Sequence, residues 1–245
     1  MRTIDIVIPV LNEETALPLC IDALSNYLST SIDRRWTISI VDNGSLDETL
    51  AVAQSLAKKD KRIRVLSLPA KGRGRALRTA WIQSNSDIVC YMDVDLSTKL
   101  AALLPLLSAI DEGSDIAIGS RLASNSVVKR SLKREVISRV YNLLLRLVFG
   151  LKITDAQCGF KALSKEAANR LVPLVENNNW FFDTELLIVG HANNHRIAEI
   201  PVEWVEDSDT RVKIVKTVIE DLLGILRMKL TGIPRINYKQ LNETS

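Results

Sequence analysis

Apolar positions in the first half of the chain follow two alternating rhythms. Short, near-continuous runs occur at IDIVIPVL (4–11), WTISIVDN (36–43), RIRVLSL (62–68), DIVCYMD (87–93) and DIAIGS (115–120). Between them, apolar residues recur three and four apart, as Leu17, Cys20, Ile21, Leu24 and Leu28 do in 14–28; segments 47–58, 74–84 and 100–111 are read the same way. The first rhythm predicts strands buried on both faces and the second predicts amphipathic helices. Their alternation predicts an α/β fold with a mostly parallel central sheet covered on both sides. After residue 122 the pattern loosens. One long basic helix is expected over 130–147, a last strand over RIAEIPVEW (196–204), and an amphipathic C-terminal segment beyond it.

In such sheets ligands bind outside the carboxyl ends of the strands. The predicted ends are polar: Asn12-Glu13-Glu14, Asp42-Asn43-Gly44-Ser45, Asp93 with Asp95, and Gly119-Ser120-Arg121. Each alone serves equally as a turn or helix cap, and Asp95 alone would cap a helix starting near Ser97 or Thr98. Asp93 and Asp95 are two apart, so they share a face of their strand. Two close carboxylates repel unless a cation lies between them, and hard oxygen ligands suit Mg²⁺ or Mn²⁺. Together the four ends describe a nucleotide-diphosphate site: acids for ribose and base, a cation for the pyrophosphate, an arginine for charge. LNEE follows the first strand where a dinucleotide-binding G-x-G-x-x-G would stand, and no G-x-x-x-x-G-K-[ST] occurs, which argues against nicotinamide binding and against an NTPase. GRGRA (72–76) either brings Arg73 and Arg75 near an anionic ligand or leaves them solvated on a turn.

Composition narrows the setting without choosing the chemistry. The 245 residues are 47% hydrophobic and 25% charged with a net charge of +3, ordinary globular values that give no reason to expect nucleic acid. Cys20, Cys90 and Cys158 lack metal spacing and read as reduced thiols in a cytosolic setting. The N-terminus enters a strand at once, so no signal peptide is expected, and no apolar stretch is long enough for a transmembrane helix.

IPVLNEE, VDNGSLD, GRGRA, DVDLS, GSR, CGFKA and EIPVEW occur in that order. They resemble the family 2 glycosyltransferases of GT-A (Rossmann-like) nucleotide-sugar-binding fold, and within them the polyprenyl-phosphate sugar synthases of the dolichyl-phosphate glucose and mannose group. The likeness covers roughly residues 3–230 and implies a catalytic domain over 1–210, followed by a C-terminal amphipathic helix and tail over 211–245. DAQCGFK (155–161) is similar to the D-T-Q-C-G-F-K of the dolichyl-phosphate glucosyltransferases, which favours UDP-glucose over GDP-mannose. The resemblance implies that Pro9, Leu11, Glu13, Asp42, Asn43, Arg73, Asp93, Val94, Asp95 and Arg121 bind the nucleotide sugar, with Asp93 and Asp95 holding the metal. It implies catalytic roles for Asp95, Arg121, Arg134, Ser138 and Gln157, the last beside the sugar, and gives the acceptor phosphate to Arg134, joined by Arg211 and Lys213 as candidates. Mannose synthases usually carry Gln two residues after the second Asp; Ser97 stands there, which disfavours mannose and a third protein ligand to the metal.

The implied reaction is an inverting, divalent-metal-dependent transfer of a hexose to a polyprenyl phosphate. Such an acceptor is largely ionised at neutral pH because its second pKa is near 6, so it needs positioning more than a base. A hydroxyl acceptor, as in polysaccharide assembly, would instead need a carboxylate base, for which Asp183 or Glu185 would have to serve against the plainer reading of Asp183 as a helix cap. His191 and His195 lie four apart on an expected helix without a third ligand. The segment 126–153 mixes Lys129, Arg130, Lys133, Arg134, Arg139, Arg146 and Lys152 with a leucine-rich face, opposed only by Glu135, and is expected to lie on a membrane surface. For 213–230, membrane contact and packing, in the core or in a homodimer, are equally compatible. The expected location is cytoplasmic, peripheral on the inner face of a membrane.

Overall fold

The structure, a computed structural model, describes residues 1–206 and 214–236. Elements follow in the expected order: β1 (Ile4–Val10), α1 (Ala16–Ser31), β2 (Trp36–Asp42), α2 (Thr49–Lys59), β3 (Ile63–Ser67), α3 (Arg73–Gln83), β4 (Ile88–Met92), α4 (Leu103–Asp111) and β5 (Ile116–Ser120). Then come β6 (Val127–Lys129), α5 (Leu132–Phe149), β7 (Phe160–Ser164), α6 (Lys165–Leu171), α7 (Phe182–Ala192), β8 (Ile197–Pro201), β9 (Glu203–Val205) and α8 (Ile214–Thr231). The main sheet has the order β3-β2-β1-β4-β7-β5-β8, and every pairing is parallel except those of β7.

The period-two alternation of a strand divides the core. Ile4, Ile6, Ile8 and Val10 face one layer with Leu17 and Leu24 of α1 and Leu106 of α4. Val7 faces the other with Trp81 of α3, Leu145 of α5 and Phe182 of α7. Asp5 shares the side of Val7 and is buried there, accepting hydrogen bonds from Ser39 Oγ and Arg64 Nη2, both at 2.5 Å.

Two expectations are corrected, and one strand is added that the sequence reading did not assign. CGFKA contains a strand: β7 runs antiparallel between β4 and β5 and brings Lys161 into the centre of the sheet. The basic segment is not one helix from 126, since β6 forms first and pairs with β9, and the helix begins only at Leu132. RIAEIPVEW is divided at Val202, so β8 belongs to the main sheet and β9 to the small one. The parallel strands all end on one edge, and the loops leaving that edge hold most of the polar residues of interest.

Candidate active site

The loop after β1 is stitched to the loop after β2. Asn12 takes a left-handed conformation (φ 56°); its N–H donates to Ser45 Oγ at 2.9 Å and its Oδ1 accepts from the Leu46 N–H at 2.8 Å. Asparagine tolerates this backbone region better than most residues. The Glu13 N–H donates to Thr49 Oγ1 at 2.7 Å, and Pro9, Leu11 and Glu13 are half-buried along this wall. Asp42 is buried at the end of β2, where its Oδ1 accepts from the Ser45 N–H at 3.1 Å. Next to it Asn43 is only 5% exposed, and its Oδ1 has no hydrogen-bond partner among the described residues. A buried amide oxygen without a partner is costly, and a ligand group would satisfy it.

Beyond β4, Asp95 is exposed, and its Oδ1 accepts from the Ser97 N–H at 2.9 Å across a turn in which Leu96 has φ 54°. No helix starts at Ser97 or Thr98; Thr98 instead bridges to Trp204. Asp93 Oδ2 lies where a Cβ on residue 159 would sit, so Gly159 is the cradle for this carboxylate. Val94 between the two acids is buried. The Cys20 thiol beneath them is pushed up to about 12 by burial, with the charges of Asp95 and Asp93 adding to the effect. β4 ends at Met92, so both acids lie in the turn beyond it and not on the one strand face that their spacing of two predicts.

Behind Asp93 runs a buried chain of charges. Arg73 Nη2 contacts Asp93 Oδ1 at 2.6 Å and Arg73 Nη1 contacts Asp183 Oδ2 at 2.5 Å. Asp183 Oδ1 also takes Lys161 Nζ at 2.9 Å and the Tyr91 hydroxyl. Burial alone would raise the Asp183 carboxyl, but Lys161 and Arg73 outweigh it and hold the group below the ordinary carboxylate range. Arg73, which sequence leaves either beside a ligand or in solvent, is committed to these two acids. Asp183 lies in the first turn of α7 and makes no cap hydrogen bond among the described residues; its contacts with Arg73, Lys161 and Tyr91 point into this network. Arg75 donates to the Lys71 carbonyl at the surface.

On the other flank Arg121 forms a fork with buried Asp155, Nε to Oδ2 at 2.7 Å and Nη2 to Oδ1 at 2.9 Å, and its guanidinium lies 5.5 Å from the Trp204 ring centre. A cavity of about 460 Å³ adjoins it, lined by Arg121, Arg130, Glu135 and Arg139 with Val128 and Leu132. Glu135 bridges Arg130 Nε and Arg139 Nε, each at 2.6 Å, and Arg130 Nη1 donates to Ser138 Oγ at 3.3 Å. Partial burial raises the Glu135 carboxyl, yet the two arginines pull it below its usual value. Arg134 turns away from this cavity and pairs with Glu206 at 2.8 Å. The arginines that adjoin Arg121 are therefore Arg130 and Arg139, because the helix starts at Leu132 and sets its faces from there. The signal in the sequence was Glu135, the lone acid among the cations of this segment. Arg211 and Lys213 lie outside the described residues.

Gln157 joins the two flanks. Its N–H donates to Asp155 Oδ1 at 3.2 Å, and its side-chain Nε2 donates to Asp221 Oδ2 of α8 at 2.7 Å. Asp221 escaped the sequence reading. Burial pushes its carboxyl up to about 7, helped by the charges of Glu220 and Asp183. His195 lies beyond the end of α7, with Nδ1 3.2 Å from Asp115 Oδ2, so the two histidines do not share a helix face. Among the described residues no group of three or more His, Cys, Asp or Glu could hold a metal ion.

The sequence profile of Glycosyl transferase family 2 matches residues 5–172. Glycosyltransferase AglD of Haloferax volcanii is 36% identical over 244 residues, which cover 96% of this chain and 39% of that protein. Dolichyl-phosphate beta-glucosyltransferase of Mus musculus is 31% identical over 262 residues, covering 100% of this chain and 80% of that one. The crystal structure of glucosyl-3-phosphoglycerate synthase from Mycobacterium tuberculosis with Mn²⁺, uridine-diphosphate and phosphoglyceric acid superimposes with a TM-score of 0.72 at 23% identity, over 95% of this chain and 80% of that one; at that identity the likeness shows the fold.

Proposed function

The chain belongs to glycosyl transferase family 2, and from that premise we propose that it transfers glucose from UDP-glucose to a polyprenyl phosphate with inversion at the anomeric carbon. The observation that carries the reading is the placement of the acid pair Asp93 and Asp95 on the same edge as a cavity lined by Arg121, Arg130 and Arg139. The names of the relatives agree with it: the mouse protein acts on dolichyl phosphate and forms a beta-glucosyl linkage.

The donor set fits a divalent cation. Asp95 is exposed, Asp93 is cradled by Gly159, and two carboxylates are what Mg²⁺ or Mn²⁺ takes from a protein when substrate phosphates complete the shell. When bound, the ion supplies positive charge to the departing diphosphate. The chain's own groups do the rest. The walls at Pro9–Glu13 and Asp42–Asn43 receive the nucleoside, with Asn43 Oδ1 open to a donor from the base or ribose. Arg121, fixed by Asp155, presents a rigid cation to the phosphates. Arg130 and Arg139 receive the acceptor phosphate once it displaces Glu135, an exchange of one anion for another within the same fork geometry. An acceptor phosphate oxygen then attacks C1 of the sugar while the C1–O bond to the diphosphate breaks and UDP leaves, so an α-linked donor yields a β-linked product. No proton has to be removed from an acceptor that is already ionised. A hydroxyl acceptor is less well served, because Asp183 is held ionised and fully occupied by Arg73, Lys161 and Tyr91.

The acceptor lives in a bilayer, and two helices offer it a surface. Leu132, Val136, Val140, Leu143 and Leu147 form an exposed stripe along α5, and Ile219, Leu222, Leu223, Leu226 and Leu230 do so on α8. The C-terminal ends of both helices meet around a cavity of about 320 Å³ lined by Val148, Phe149 and Met228. Among the described residues no helix is long and apolar enough to cross a membrane, so these faces suit an interfacial position. Leu143→Asp together with Leu147→Asp is expected to lower partition onto anionic vesicles by about 100-fold, from the burial lost at two leucines. Co-sedimentation checks it, with circular dichroism as the control for folding; unchanged partition removes α5 from the membrane.

The central test incubates the protein with vesicles carrying polyprenyl phosphate, Mg²⁺ or Mn²⁺, and a panel of labelled UDP- and GDP-sugars, scoring label in the organic phase. UDP-glucose should be used best. Label from GDP-mannose alone overturns the choice of donor, and label on a hydroxyl-bearing acceptor instead of the lipid overturns the acceptor. Arg130→Met should raise the apparent KM for the lipid by roughly 10- to 100-fold, the range of a lost charged hydrogen bond, with donor binding unchanged.

A further inference from the structure

We propose that Asp221 is a positioning residue of the sugar pocket: it fixes the side chain of Gln157 so that this amide faces the hexose of the donor. The inference rests on the reading of the site given above. Gln157 lies between two fixed points, Asp155, which is forked to Arg121, and Gly159, which cradles Asp93. Its backbone is therefore tied to both the cation side and the acid side of the pocket. Among the described residues its side chain is tied by one bond, Nε2 to Asp221 Oδ2 at 2.7 Å.

That bond decides what Gln157 can offer. A glutamine amide has a donor end and an acceptor end of nearly the same shape, and its neighbours choose which way it points. A carboxylate oxygen takes the NH₂ end, which leaves the Gln157 carbonyl oxygen and the second N–H for a sugar hydroxyl. Asp221 is itself held firmly. It is 3% exposed and shares the inner face of α8 with Gly224, Ile225 and Met228, spaced three, four and seven residues on. A Cβ on Gly224 would overlap the Phe181 ring, so α8 lies against the start of α7 as closely as backbone allows. Asp221 Oδ1 has no hydrogen-bond partner among the described residues. A buried carboxyl kept at this cost on a helix face shared with Gly224, Ile225 and Met228 calls for a role, and its one hydrogen bond among the described residues leads to Gln157.

The inference separates sugar recognition from nucleotide recognition, and binding without an acceptor reads the difference. The affinity of the Mn²⁺-loaded full chain is measured by calorimetry for UDP and for UDP-glucose, or for GDP and GDP-mannose if wild type binds that pair, which keeps the choice of donor apart from this test. Asp221→Ala should weaken the nucleotide sugar by about 10- to 100-fold while the nucleoside diphosphate changes by less than about 2-fold. Asp221→Asn, which keeps the shape and one acceptor oxygen, should restore the sugar term to within about 3-fold of wild type. Gln157→Ala should match Asp221→Ala, and the double variant should lose no more than either alone, because both break one link. Equal loss for nucleotide and nucleotide sugar, failure of Asp221→Asn to rescue a folded protein, or additive losses in the double variant would each overturn the proposal.

Discussion

Asp95→Ala is expected to lower sugar transfer by about 10³-fold or more, the scale on which one preorganised charge at a developing anion is felt. It should do so without unfolding the protein. Asp95 is exposed, and its Oδ1 accepts from the Ser97 N–H across a local turn. The decisive readout is separate from turnover: in wild type, Mn²⁺ should strengthen the thermal stabilisation given by UDP, and in the variant that increment should vanish while UDP alone still stabilises. Asp93→Ala is the less clean experiment, because Asp93 also partners Arg73 and its removal disturbs the buried chain behind it. If Asp95→Ala kept the Mn²⁺ increment, the acid pair would not be the metal site.

The second large effect belongs to stability. Among the described residues Asp183 is the one carboxylate shared by Arg73 and by Lys161, whose side chain is 0% exposed at the centre of the sheet. Removing one partner of a buried ion pair leaves an uncompensated charge, which costs about 3–5 kcal/mol. Asp183→Ala should lower the urea-unfolding free energy by that amount. Asp183→Leu combined with Lys161→Met should recover part of the loss, since the second change removes the orphaned ammonium. A loss under about 1 kcal/mol would mean that water reaches this network. Transfer by the folded fraction also discriminates between acceptors. A base for a hydroxyl would be missed at once, whereas an already anionic phosphate depends on Asp183 only through the aim of Arg73 and Asp93.

The fold was legible wherever a strand is apolar on both faces, so β1, β2, β4 and β5 stand within a residue or two of their expected bounds. β7 was hidden because Lys161 interrupts a run of only five residues, and the acid that makes a buried lysine tolerable lies in α7, in another element altogether. The strand-end acids were legible as the first polar residues after an apolar run, although β4 stops at Met92 and the turn beyond it, not a period of two, sets where each points. The arginines beside Arg121 were not. Arg130 stands before the helix and Arg139 within it, and only the observed start at Leu132 brings them onto Glu135. Asp221 was illegible in principle, because a single acid in an amphipathic helix looks solvated until its partner across the fold is known.

The sheet order has a consequence for how the chain is made. β5 lies between β7 and β8, and both follow it in sequence. Some 40 residues separate the end of β5 from the start of β7. At ~5–20 residues per second on the ribosome, that is a wait of roughly 2–8 s before β5 can find its first neighbour. Through that interval β1 to β4 already form a paired half-sheet while β5 offers two open apolar edges. The nascent chain is most exposed to mispairing there, and a chaperone that recognises extended apolar segments would meet it at Ile116–Ser120.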